Sequence, residues 1–175
     1  MRLVVKALIA IAASGSTPYT IGAARRASEL GASVIAVANN PNSPLAAWAD
    51  VEIFLDSGPE VIIGSTRMGA GTAQKAALNL LSTLTHIKLG AVHDGMMINV
   101  KGGNAKLKAR ACKIVSRIAS VDERNAAAAL ELTKGEIKAA ILISAGAMSP
   151  DNAQQLLKES QGNLRLALSR LALPA

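Results

Sequence analysis

Residues 11–22 read IAASGSTPYTIG, and the way this stretch changes character decides the fold. A run of small apolar residues stops at Ser14-Gly15-Ser16-Thr17, and Pro18 then opens a helical pattern. A buried strand that ends in hydroxyls and a glycine, with a helix start directly behind, is a strand-to-helix junction of a parallel α/β sheet. Hydroxyls and free backbone N–H groups at such a place can hold an anion, most often a phosphate. The same residues also make an ordinary turn and N-cap, since Ser and Thr cap helices and Pro suits the first turn. The stretch by itself leaves both readings open.

Working outward, residues 5 to 12, 33 to 38 and 51 to 55 read as short apolar strands. A helix over about 18 to 30, ended by Gly31, joins the first two. The segment NNPNSPLAAWAD (39–50) supplies a turn and a short helix before the third. Buried strands alternating with helices indicate a parallel, doubly wound sheet. The hydroxyl loop then lies at the carboxyl end of a strand, where such sheets bind ligands.

A helix over about 71 to 89 follows, ended by Gly90. Its stripe of Ala73, Ala77, Leu80, Leu84 and Ile87, widened by Ala76 and Leu81, predicts a largely buried element. Another helix, about 104 to 119, carries Leu107, Ala111, Ile114 and Ile118 on one face. Lys106, Arg110, Lys113 and Arg117 stand on a neighbouring face. The last third repeats itself: residues 121–141 align with 148–168, pairing Asn125 with Asn152, Ala126 with Ala153, Leu130 with Leu157, Gly135 with Gly162 and Ala140 with Ala167. Each unit is a cap, a helix, a glycine turn and a second helix start, a hairpin that must pack on its neighbour to bury its apolar face. The expected organisation is a partial doubly wound parallel sheet over 1–119 and an all-helical subdomain over 120–175. For the hairpins, a recruitment or dimer-supporting role is expected rather than chemistry.

With 175 residues, half of them hydrophobic, the chain has material for a core, but only 2% are aromatic. That composition disfavours a stacking surface for bases or polysaccharide. Cys112 is the one cysteine, so no disulfide framework forms within the chain and a reducing, cytoplasmic setting is expected. The N-terminal apolar run is interrupted by Lys6 and is too short to span a membrane. Net charge is +7 and uneven: residues 1–60 hold four Lys/Arg and five Asp/Glu, residues 61–175 fifteen and seven. Six positives from Lys101 to Arg117 occur without an intervening acid, which raises nucleic acid as a partner. The absence of interleaved aromatics argues instead for a solvated face and no specific nucleic-acid recognition.

Residues 58–75 read GPEVIIGSTRMGAGTAQK. Glu60 leaves the third strand, and Ser65, Thr66 and Arg67 precede a glycine-rich helix start containing Thr72 and Lys75. A carboxylate beside a loop rich in hydroxyls and bases could do acid/base work on a phosphorylated substrate. The competing arrangement pairs Glu60 with Arg67 and spends the hydroxyls on helix capping.

Taken in order and spacing, IAASGSTPY, NPNSP, GPEVIIGSTRMGAGTAQK, INVKGGNAKLKARA and the paired hairpins resemble the sugar-isomerase (SIS) domain family. Within it they resemble the N-acetylmuramic acid 6-phosphate etherases, from residue 9 onward. The resemblance implies a phosphosugar loop at Ser14, Gly15, Ser16 and Thr17, with Ser65, Thr66, Arg67 and Lys75 also at the ligand. It implies a phosphorylated amino sugar as substrate, no metal or organic cofactor, no membrane association, and a homodimer. The implied reaction releases D-lactate by elimination across the sugar C2–C3 bond followed by water addition, which needs a base for the C2 proton and an acid for the departing oxygen.

Glu60 matches the glutamate that in sugar isomerases of this kind moves the C2 proton. The two glutamates assigned to catalysis in the etherases belong to segments upstream of the hydroxyl loop, and neither has a counterpart in this sequence. Gly69 stands where many relatives have a basic residue. The sequence thus reads as the C-terminal portion of an etherase, with two strands of the expected sheet missing and the edge of the first strand uncovered. A non-catalytic phosphosugar-binding or regulatory module is the alternative, and a nucleic-acid-binding protein the third. Among the remaining conspicuous residues, His86 and His93 lack metal-ligand spacing. Cys112, Met96 and Met97 read as core fillers, and Trp48 as the anchor of the short helix.

Overall fold

The computed structural model describes residues 6–100 and 104–171, and the chain divides into two compact units between Leu81 and Ser82. In the first unit, β1 (Ala7–Ile11), β2 (Ser33–Ala38) and β3 (Val51–Phe54) form one parallel sheet in sequential order. The register sets Ile9 beside Ile35 and Ile35 beside Val51. α1 (Pro18–Glu29) crosses from β1 to β2, and a 3-10 helix (Ala46–Trp48) lies between β2 and β3. This is the expected parallel α/β architecture in its partial form.

Small side chains let α1 come close to the sheet. Ala24 and Ala27 meet Ala10, Ala12, Val34 and Ala36 in one buried cluster, with Leu45 closing it from the loop after β2. Asp50 fixes the start of β3 by exchanging hydrogen bonds with Val34: its amide donates to the Val34 carbonyl at 2.8 Å and its carboxylate accepts from the Val34 N–H at 2.7 Å. Alternation along the strands turns Ile9 and Val51 to the opposite face, where they are 40% and 51% exposed. Among the described residues β1 pairs with β2 alone, so it is an edge strand with unpaired backbone groups, as expected.

α2 (Gly69–Lys88) forms close to its expected bounds, but its environment differs from the expectation. Leu80, Leu84 and Ile87 are 60%, 51% and 48% exposed, and Ala70 is the one buried residue among its twenty. Periodicity reported the apolar face correctly. Burial also requires an opposing surface, and the described residues cover this stripe only in part: Ala73, Ala77 and Leu81 are half-buried, while the larger side chains further along stay exposed.

In the second unit, β4 (Val92–His93) and β5 (Met96–Met97) make a two-residue hairpin turned by Asp94 and Gly95, both at positive φ (47° and 75°). That is the conformation an Asp-Gly turn favours. α3 (Ala105–Ala119) is capped by Asn104, whose side chain accepts from the Leu107 N–H at 2.9 Å. It buries Ala111, Ile114 and Val115 against α4 (Glu123–Leu132) and α5 (Ile137–Ser144). α3 therefore packs with the helices that follow it, whereas the sequence reading grouped it with the sheet. The reason is the shared apolar cluster, which runs from Ile98 to Ala167.

α6 (Pro150–Glu159) and α7 (Leu164–Leu171) repeat the α4–α5 hairpin. Asp122 and Ser149 cap the first helix of each pair. Lys134-Gly135 and Gln161-Gly162 make equivalent turns at positive φ, and Ala126, Ala153, Ala140 and Ala167 are all fully buried. The Lys138 ammonium ties the hairpins together by donating to the Gly162 carbonyl at 2.7 Å. Cys112 lies half-buried against the same core, its thiol 3.1 Å from the Glu123 carbonyl. Burial, then the nearby Glu123 charge, push that thiol's pKa up, which suits a packing role and not a nucleophile. No helix among the described residues is long and apolar enough to cross a membrane.

Candidate functional site

Parallel strands bring their carboxyl ends to one edge, and the loops that leave β1, β2 and β3 there carry the residues singled out by sequence. The β1 loop is held to the sheet through its backbone. Gly15 N–H donates to the Ala12 carbonyl at 3.0 Å, Asn39 N–H to the Ala13 carbonyl at 2.9 Å, and Leu45 N–H to the Gly15 carbonyl at 3.0 Å. Ser14, Ser16 and Thr17 stay exposed while Gly15 is buried. Ser14 Oγ accepts from both the Ser16 N–H (3.2 Å) and the Ser16 hydroxyl (2.9 Å), which folds the loop on itself. Thr17 is the N-cap residue of α1, yet its side chain makes no capping hydrogen bond. The hydroxyl thus remains available at the positive end of the helix.

Gly15 has a positive φ of 65°, and a Cβ built there would overlap Cβ and Oγ of Ser43. Glycine is required on both counts, backbone and space. Ser43 was not singled out by sequence as a site residue. It is 6% exposed, pressed against the hydroxyl loop, and its Oγ has no hydrogen-bond partner among the described residues. A buried hydroxyl without a partner carries a desolvation cost, which makes it a candidate contact for a polar ligand. On the outer side of α1, a groove of about 550 Å³ is lined by Ser16, Ile21, Arg25, Arg26 and Trp48, among others. Arg25 and Arg26 both bond Glu29 (3.0 and 3.1 Å), and Arg25 lies 6.0 Å from the Trp48 ring centre. These two cations are therefore partly engaged.

Glu60 does not pair with Arg67. Its two carboxylate oxygens accept from the Gly69 N–H (3.0 Å) and the Ala70 N–H (2.9 Å), so it caps α2 from nine residues upstream. Those two backbone bonds, Ala70's first, hold its pKa below the usual carboxylate value. The group is ionised at neutral pH, and its basicity is spent on the helix terminus. Thr66 contributes its carbonyl to the Gly71 N–H at 2.9 Å. Ser65 is half-buried, and Thr66, Arg67 and Lys75 are exposed around the start of α2.

Asn39, at the end of β2, joins the parts. Its amide donates to the Leu55 carbonyl (3.0 Å) and to Ser57 Oγ (3.3 Å), and its oxygen accepts from Gln74 Nε2 at 2.8 Å. One side chain thus fastens the loop after β3 and the second turn of α2 to the sheet edge. Neighbouring strands lie about 4.8 Å apart, so the β1 and β3 loops leave the edge roughly 10 Å from each other. The histidines stand elsewhere: His86 Nδ1 is 2.8 Å from the Ser82 carbonyl, and buried His93 is 3.5 Å from Asp94. Of the basic run on the α3 segment, Lys101 lies outside the described residues.

Comparison with known proteins meets this geometry. Residues 6–84 match the SIS domain. Over 161 residues, 92% of this chain, the sequence is 47% identical to the N-acetylmuramic acid 6-phosphate etherases of Yersinia pestis (strain Pestoides F) and of Yersinia pseudotuberculosis serotype O:1b (strain IP 31758). The match covers 55% of each of them, so the chain spans about half the length of the curated relatives it matches. With the hydroxyl loop, the parallel sheet and the paired C-terminal hairpins all in place, the chain is similar to the SIS domain over residues 6–84 and to N-acetylmuramic acid 6-phosphate etherases over 161 residues.

Proposed function

We propose that the sheet edge binds a phosphorylated amino sugar and that the chain acts in N-acetylmuramic acid 6-phosphate etherase chemistry, releasing D-lactate and N-acetylglucosamine 6-phosphate. The observation that carries this reading is the exposed, uncapped hydroxyl cluster of Ser14, Ser16 and Thr17 at the N-terminus of α1. The phosphate sits there, close to Gly15, and the sugar extends toward Ser65, Thr66, Arg67 and Lys75. Each charge-assisted hydrogen bond contributes about 1.5–3 kcal/mol, so Thr17→Val weakens binding about ten- to hundredfold. Calorimetry with N-acetylglucosamine 6-phosphate measures this, and unchanged affinity overturns the assignment. A cytoplasmic homodimer belongs to the same reading, and light scattering of the purified chain tests its mass.

One observation favours a second reading, a phosphosugar-binding or regulatory module without catalysis. The elimination needs a proton acceptor and a proton donor at the sugar, and general acid–base catalysis of this kind contributes about 10²–10⁴-fold. Glu60 is the carboxylate that fits the motif, and it is occupied by the Gly69 and Ala70 amides. D-lactate release from N-acetylmuramic acid 6-phosphate separates the two readings. The 175-residue chain acting alone is expected to release little or none, and activity to return when the remaining portion of a relative is supplied in cis or in trans. Robust turnover by the chain alone, abolished in Glu60→Gln, would place the chemistry on Glu60.

A further inference from the structure

We infer that the exposed face of α3 carrying Lys106, Arg110, Lys113 and Arg117 is a docking surface for an acidic amphipathic helix of a partner protein. At 100° per residue these four positions fall within an arc of about 60°, and they span roughly 16 Å along the helix axis. All four are exposed, and none has an ion pair among the described residues. Three consecutive like-charge neighbours, at i,i+4, i,i+3 and i,i+4, repel one another and weaken the helix. The Asn104 cap and the buried Ala111, Ile114 and Val115 hold it nonetheless. The face therefore keeps a repulsion that an anionic partner relieves.

The surroundings indicate which anion. The four cations border a groove of about 390 Å³ whose remaining lining is Met96, Ala109 and Ile114. A nucleic-acid duplex would use the charges and leave that apolar lining unmatched. A single strand would need aromatic stacking platforms, and residues 82–175 contain no Phe, Tyr or Trp. A helix with carboxylates at i, i+4, i+7 and i+11 repeats at the spacing of α3 itself, and apolar residues beside its acidic stripe meet the half-exposed Met96 and the exposed Ala109. Methionine suits such a surface because it adapts to different partners. Lying an amphipathic helix into a groove is an established mode of recognition.

The probe is a fluorescein-labelled, alanine-based helical peptide with Glu at those four positions and Leu beside them, titrated by anisotropy against the full chain. Saturable binding is expected, and Lys113→Glu with Arg117→Glu should lower affinity at least about tenfold through lost and reversed charge pairs. A peptide with Ser in place of Leu should bind several-fold more weakly. Both substituted positions are exposed, and circular dichroism checks that helix content is kept. Equal affinity in the reversed variant overturns the proposal, as does equal binding of a peptide with Gln in place of Glu. Displacement of the peptide by duplex DNA at physiological salt overturns it in favour of a nucleic-acid surface.

Discussion

Gly15→Ala is the substitution with the largest effect that the site geometry dictates. At φ 65° an alanine sits in the left-handed region, which costs about 1–2 kcal/mol for an L-residue. The new Cβ also overlaps Cβ and Oγ of Ser43. Rotation of Ser43 can move its Oγ but not its Cβ, and the loop between them is closed by the hydrogen bond from Leu45 N–H to the Gly15 carbonyl. Overpacking of this kind costs about 1–3 kcal/mol, so the total is about 2–5 kcal/mol. Trp48 is the chain's one tryptophan and lies in the first compact unit, so its fluorescence reports the unfolding of that unit alone. For a unit of that size the midpoint should fall by at least about 8 °C. Adding Ser43→Gly removes the overlap but leaves the backbone cost, and should recover part of the loss. A shift below about 2 °C, against the 4–8 °C expected for each kcal/mol, would refute the reasoning. So would a double variant no better than the single one.

Four further outcomes follow from other contacts. Leu80→Gln and Leu84→Gln change stability by no more than about 0.5 kcal/mol, the range for surface substitutions. A loss of about 2 kcal/mol or more in urea titration would show the α2 stripe covered in solution. Because the Glu60 pKa is lowered on folding, its capping contribution is present above the ordinary carboxylate pKa and is lost as pH falls through the depressed value. Amide exchange at Gly69 and Ala70 should therefore lose protection on acidification in the native chain, and a protection profile unchanged by pH would contradict the cap. Ser43→Ala leaves the fold intact, because its hydroxyl has no partner among the described residues to lose, and weakens N-acetylglucosamine 6-phosphate binding in calorimetry; unchanged affinity would remove Ser43 from the ligand contacts. Gly22→Ala, exposed within α1 and with nothing near the added Cβ, should raise stability by about 0.5–1 kcal/mol, and a lowered thermal midpoint would count against an unobstructed helix there.

Contiguous residues carry their own structural instructions, and the elements that depended on them were legible. Strand-to-helix junctions, the glycine after α1, the helix over about 104 to 119 and the two 27-residue-offset hairpins all rest on neighbours within one or two turns. Pairings such as Asp122 with Asn125 and Ser149 with Asn152 are of the same kind. The β4–β5 hairpin escaped notice although its Asp-Gly turn stood in the sequence, because two-residue strands are too short to show alternation. The hydroxyl loop was legible for the same local reason: its residues are consecutive.

The remainder of the site is non-local. Asn39 reaches Leu55, Ser57 and Gln74, and Ser43 comes against Gly15 only because the β2 loop folds back over the β1 loop. Glu60 had several donors within reach along the chain. The choice of the Gly69 and Ala70 amides over Arg67 is made by where α2 begins in space. α2 shows the division most plainly. Its sequence by itself determined that a helix forms there and which of its faces is apolar, since both follow from a period of 3.6 residues. Whether that face is buried was decided by tertiary structure alone, because burial removes apolar surface from water only where a second surface meets it. At Leu80, Leu84 and Ile87 the described residues supply that surface only in part, and about half or more of each side chain stays exposed.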